Sequence, residues 1–102
     1  MSTNSPEEKE NGVSELKVKE VPVFGCIVYV SAQPDGGVRA RVANLSGLEC
    51  TAASEREALA STAAAFKQRL AELLQNRAAI PWIEPPSAIE PGEQQRWIPV
   101  HL

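Results

Sequence analysis

The chain has 102 residues, of which 43% are hydrophobic and 23% charged, with a formal net charge of -3. That is the range of one small globular domain with a single core, and too apolar for a wholly disordered chain. No apolar run approaches the ~20 residues that span a bilayer, and the amino terminus lacks the basic-then-apolar pattern of a signal peptide, so a cytoplasmic protein is expected.

Residues 1 to 20 hold five acids against three lysines, and the remaining residues hold eight acids against seven bases. A nearly neutral body argues against an autonomous nucleic-acid binder, which releases counterions through a basic patch. It fits a protein whose partner is another protein.

Met1 to Gly12 is Ser, Asn, Pro, Glu and Lys without a large apolar residue, so burial cannot offset its chain entropy. Residues 1–12 are expected to be a disordered tail, and residues 13–102 a single domain. Apolar residues return at Leu16, Val18 and Val21, where a strand can begin before Pro22 interrupts it.

Val23 to Ala32 is rich in β-branched and aromatic residues, with Phe24, Cys26, Val28 and Val30 on one face and Val23, Gly25, Ile27 and Tyr29 on the other. Two apolar faces predict a central strand. Asp35-Gly36-Gly37, after Pro34, supplies the backbone freedom of a hairpin connection. In the second strand Val38, Ala40 and Val42 alternate with Arg39 and Arg41, giving one buried and one wet face.

Asn44-Leu45-Ser46-Gly47 makes the next turn, and Leu48 to Ala52 a short third strand. Ser54 followed by Glu57 reads as a capping box, in which the hydroxyl and the carboxylate each satisfy the other residue's amide. The helix it opens carries Leu59, Ala63, Phe66, Leu70 and Leu73 along one stripe, widened by Ala58, Thr62 and Leu74. It should end near Arg77, ahead of Pro81. Pro81, Pro85, Pro86 and Pro91 stiffen the connection that follows, which is long enough to cross the sheet edge. Arg96 to Leu102 reads as a last strand, placed at an edge by Pro99.

Asp35-Gly36-Gly37, Val42-Ala43-Asn44-Leu45-Ser46-Gly47 and Ser54-Glu55-Arg56-Glu57-Ala58, in this order and spacing, resemble the HicB-like family. The resemblance covers roughly residues 23 to 83, extended to the carboxy terminus by the last strand. Where the family pattern has proline, aspartate, proline and glycine, this chain has Ala43, Asn44, Ser46 and Ala52. The resemblance implies a β-β-β-α-β domain, a partial ribonuclease-H-like fold without the catalytic carboxylates. It also implies antitoxin-type binding of a small HicA-like ribonuclease toxin, as in full antitoxins, or the role of an orphan relative. Association between subunits through the carboxy-terminal edge is a further implication. Many members carry a DNA-binding segment as well; none is read in this chain, and promoter repression is not implied for it.

No residue set predicts catalysis, a cofactor or a metal. Glu57 has a capping role, and His101 has no acid or serine motif beside it. One histidine and two separated cysteines, Cys26 and Cys50, make a poor zinc set, and both cysteines sit where they behave as small hydrophobes. Asp35, Gly36, Gly37 and Gly47 are turn residues, and Ser54 and Glu57 cap residues, all structural.

The candidate partner interface is Ile27, Tyr29, Arg39, Arg41, Trp82 and Trp97. Arg39 and Arg41 can meet phosphate or an acidic partner, or can simply solvate a strand face. Trp82 and Trp97 can anchor a partner or close the end of the domain's own core. The reading is therefore a non-enzymatic α+β protein-interaction domain, with an antiparallel sheet and one long helix on one face, that binds a protein and self-associates. The alternative is a nucleic-acid-binding module using the sheet-face arginines.

Overall fold

The computed structural model describes residues 22–102; the expected tail at residues 1–12 and a strand start between residues 13 and 21 lie outside that range. Four strands and one helix follow in the order β1 (Val23–Ala32), β2 (Val38–Val42), β3 (Glu49–Ala52), α1 (Glu55–Gln75) and β4 (Gln94–His101). They form one antiparallel sheet, ordered β3-β2-β1-β4, with α1 packed on one face. The fold is α+β, β-β-β-α-β, as expected.

β1 is central because its helix-facing side chains, Cys26, Val28 and Val30, are buried while neighbours pair on both sides of it. Gly36, at φ 95°, makes the β1–β2 turn, where Gln33 N–H donates to the Gly37 carbonyl (2.8 Å) and Gly37 N–H to Asp35 Oδ1 (2.9 Å). Asp35, Gly36 and Gly37 thus play their expected structural part. Gly47, at φ 84°, turns the chain after Leu45, whose side chain is fully buried and pins that loop to the core.

Glu57 N–H donates to Ser54 Oγ at 3.2 Å, which fixes the start of α1. Among the described residues the Glu57 carboxylate makes no return bond, so half of the expected capping box forms. The buried seam of α1 is Ala58, Thr62, Phe66 and Leu70, all within the expected stripe; Leu59, Ala63 and Leu73 flank it half-buried, and Leu74 alone of the expected set is left exposed. Thr62 Oγ1 is buried in this seam without a hydrogen-bond partner among the described residues.

The helix ends before any proline acts on it. Ala78 N–H donates to the Leu73 carbonyl (2.8 Å) and Arg77 N–H to the Leu74 carbonyl (3.0 Å), with Arg77 at φ 55°. This is a Schellman closure in which an arginine holds the left-handed position usually given to glycine.

β4 lies at the edge, and Pro99 stands opposite Gly25. Leu102 N–H bonds the Pro22 carbonyl, so even-numbered β1 residues exchange ladder bonds with β4 and the Gly25–Pro99 pair does not. The missing proline donor therefore falls on the free side. β4 begins at Gln94, ahead of the expected Arg96, with Gln94 and Gln95 paired to Val30 and Tyr29 directly after Glu93 is fixed on Arg41.

Candidate functional site

The face of the sheet turned away from α1 carries the odd-numbered β1 residues together with Arg39, Arg41, Glu49, Thr51, Gln95 and Trp97. Half of this face is covered by the chain itself. After α1, Trp82 closes the end of the core on the helix side, with its ring 6.1 Å from both Phe24 and Phe66. The chain then rounds the end of the sheet: Ile83 N–H donates to the Asn44 carbonyl (3.0 Å) and Ser87 N–H to the Ala43 carbonyl (2.9 Å). The segment from Ile83 to Glu93 continues across the outer face as a strap.

Two side chains of the sheet hold the strap down. Tyr29, 6% exposed, donates its hydroxyl to the Ser87 carbonyl at 2.7 Å. Arg41 meets Glu93 through a two-pronged pair, Nε to Oε2 at 2.6 Å and an η nitrogen to Oε1 at 2.7 Å, and also donates to the Ala88 carbonyl at 3.0 Å. Its guanidinium lies 5.1 Å from the centre of the Tyr29 ring, its partner across the β1–β2 ladder. Planar matching of guanidinium and carboxylate makes this the strongest polar contact on the face. The Arg41 hydrogen bonds hold the Glu93 carboxyl down to about 2, against the opposing effect of burial.

Arg39 pairs with Glu49 at 2.8 Å in a more exposed setting, and Arg96 pairs with Glu55 at 2.8 Å. The Arg39 contact lowers the Glu49 carboxyl and raises the guanidinium. Both forks on the sheet face, Arg39 and Arg41, are thus occupied by carboxylates of the same chain.

The other half of the face is open and apolar. Ile27 stands opposite Trp97, which is 61% exposed, and Val23 is 52% exposed. The Trp97 indole lies over Gly25, where an added Cβ would come within 2.5 Å of Nε1. Glycine at this strand position is required by that close approach.

The structure therefore brings Ile27 and Trp97 together on the open half and Tyr29 and Arg41 together beneath the strap. Arg39 stands beside the second pair, while the Trp82 ring packs against Phe24 and Phe66 at the helix-side end of the core and borders a groove shared with Ile27. Glu93, Ser87 and the Asn44 side chain did not emerge from the sequence. Glu93 is one of three acids in a proline-rich stretch, and no sequence signal distinguishes it from Glu84 and Glu90. Gly25 did carry a signal, a lone glycine inside an otherwise apolar strand.

The Asn44 carboxamide extends the β1–β2 ladder beyond its last residue. Oδ1 accepts from Ile27 N–H (3.1 Å) and Nδ2 donates to the Gly25 carbonyl (2.9 Å), as a strand residue's backbone would.

Among the described residues no three His, Cys, Asp or Glu side chains cluster to hold a metal ion. Burial pushes the Cys26 thiol up to about 12, which leaves it protonated and unreactive at neutral pH. No helix of the described residues is long and apolar enough to cross a membrane. Compared with protein-family models, curated proteins and solved structures, the chain matches none.

Proposed function

We propose that this chain is a non-enzymatic, HicB-like protein-interaction domain of antitoxin type, which binds a small HicA-like ribonuclease toxin through the sheet face opposite its helix. The observation that carries the reading is the open apolar half of that face, where Val23 and the indole of Trp97 lie in water around a half-buried Ile27, beside a covered, polar half. Exposed tryptophan on a rigid strand, with aliphatic neighbours, is the composition of an interface centre. The β-β-β-α-β order and the three turn and cap motifs support the family resemblance. The carboxylates on Arg39 and Arg41 weigh against the nucleic-acid alternative, because phosphate would have to displace a two-pronged partner from each.

The test is affinity capture of the tagged chain from its native cells with nuclease treatment, followed by a ribonuclease assay on the recovered protein. Recovery of a small basic ribonuclease that the purified chain inhibits is the expected result. Recovery of RNA lost on nuclease treatment, with no inhibited ribonuclease, would overturn it. Recovery of the chain alone would also reject the toxin-binding role and leave a self-associating orphan relative.

A further inference from the structure

β1 starts before its neighbour on the β2 side. The β1–β2 ladder stops at Val28 opposite Val42, Ala43 N–H then bonds the Ile27 carbonyl, and the Asn44 side chain reaches as far as the Gly25 carbonyl. From Val23 to Gly25 no strand lies on that side among the described residues. These bonds place the odd-numbered β1 backbone groups toward β2. The Gly25 N–H and both backbone groups of Val23 therefore point sideways out of the sheet, and the hydrogen bonds of the described residues give them no partner.

What they point into is a groove of about 430 Å³. Val23, Gly25 and Ile27 form one wall, Asn44 closes the inner end, and Trp82, Ile83, Glu84 and Pro86 form the other wall. The far wall does not pair with β1 there: the Trp82 and Ile83 amides bond Ile80 and Asn44, Pro86 has no N–H, and no hydrogen bond among the described residues joins this segment to Val23 or Gly25. An unpaired strand edge beside an apolar channel is the geometry of strand addition, in which a peptide backbone supplies the missing ladder and alternate side chains fill the channel.

Charge specifies the occupant. Between Arg77 and Arg96 the chain has no lysine or arginine but three acids, Glu84, Glu90 and Glu93. Arg41 neutralises Glu93, while Glu84 lines the groove and forms no ion pair among the described residues.

We propose that this groove receives an extended, basic segment of a partner protein. The segment adds as a short strand at Val23–Gly25, seats an apolar side chain against Val23, Ile27 and Pro86, and places a lysine or arginine on Glu84. The inference rests on the protein-interaction reading above and names the chemistry of the partner at one place on the surface.

Amide NMR titration of the full chain tests it, with an eight-residue peptide alternating lysine with valine and the same peptide with glutamate for lysine. The lysine peptide is expected to shift the Val23, Gly25 and Ile27 amides saturably and slow hydrogen exchange at Gly25. The glutamate peptide should bind at least about fivefold more weakly, and Glu84→Lys should invert that order. Three results would overturn the proposal: no saturable shift at these amides, equal response to both peptides, or a Gly25 amide already protected in the free chain. In the last case a dilution series separates occupation by a second copy from occupation by the chain's own residues. Undiminished ribonuclease inhibition by the Glu84→Lys chain would remove the groove and keep the antitoxin reading. Peptide binding without any captured ribonuclease would do the reverse.

Discussion

Replacing Glu93 with Gln should remove a pH-dependent part of this domain's stability, and the size follows from the geometry at Arg41. The Glu93 side chain is 4% exposed and that of Arg41 17%, so solvent screens the pair weakly. The carboxyl falls from an ordinary 4.5 to about 2 in the folded chain. At 1.36 kcal/mol per unit this corresponds to about 3 kcal/mol, and screening through the partly open Arg41 side brings the expectation to about 2 kcal/mol. The folded value lies below the unfolded one, so this stability is fully present above pH 4.5 and is lost as the pH falls toward 2. Urea unfolding of the parent and Glu93→Gln chains at pH 7 and at pH 3 should show the parent losing more stability between the two pH values, by about 1 to 2 kcal/mol. Comparison with the variant cancels carboxylates titrating elsewhere, Glu49 among them. A double-mutant cycle with Arg41→Gln at pH 7 should give a coupling of about 2 kcal/mol, since removing one partner strands the other. Coupling below about 0.5 kcal/mol, together with identical pH dependence in the two chains, would refute the clasp as the contact that fixes the strap.

Asn44→Asp keeps the acceptor for Ile27 N–H but removes the donor to the Gly25 carbonyl; a loss of about 1 to 3 kcal/mol by urea unfolding is expected, and no loss would show that the carboxamide does not extend the ladder. Gly25→Ala drives a methyl into the Trp97 indole and should cost about 1 to 3 kcal/mol, with displaced Trp97 side-chain NMR signals as the diagnostic. Thr62→Val removes a buried hydroxyl without a partner, and the melting temperature should rise, equivalent to about 1 kcal/mol. Arg77→Gly relieves a left-handed arginine at the helix end and should stabilise by about 0.5 to 1 kcal/mol, provided the closing bonds persist in the amide exchange pattern.

Local chemistry made the elements readable. β-Branched and aromatic residues on both faces marked β1, alternation marked β2, Ser54 marked the start of α1, Asp35-Gly36-Gly37 marked the hairpin, and Pro99 placed β4 at an edge. These features act over a few residues, as periodicity and capping do. The site was less legible because its contacts join residues far apart in the chain. Arg41 stood on the outer face as expected, but its carboxylate lies 52 residues later in a stretch whose path no periodicity encodes. The two tryptophans look alike beside their prolines. Only the route of the strap separates them, sending Trp82 between Phe24 and Phe66 while strand parity leaves Trp97 over Gly25. Within the expected helix stripe, the sheet selects the row through Ala58, Thr62, Phe66 and Leu70 for full burial and leaves Leu74 exposed, a choice that periodicity alone does not make.

The sheet is completed by the last of its described strands to be made, which docks beside the first. β1 is the first described strand to leave the ribosome, yet one of its edges is paired only by β4, with Val23 opposite His101. Until residues 94–101 have emerged, the hydrogen-bonding edge beside Cys26, Val28 and Val30 is open to any other strand in the cell. The wide separation of these partners along the chain also delays the closing step, because the intervening loop must be gathered before the ladder repays it. A nascent domain of this design is therefore most vulnerable to mispairing in the interval between the emergence of β3 and that of β4.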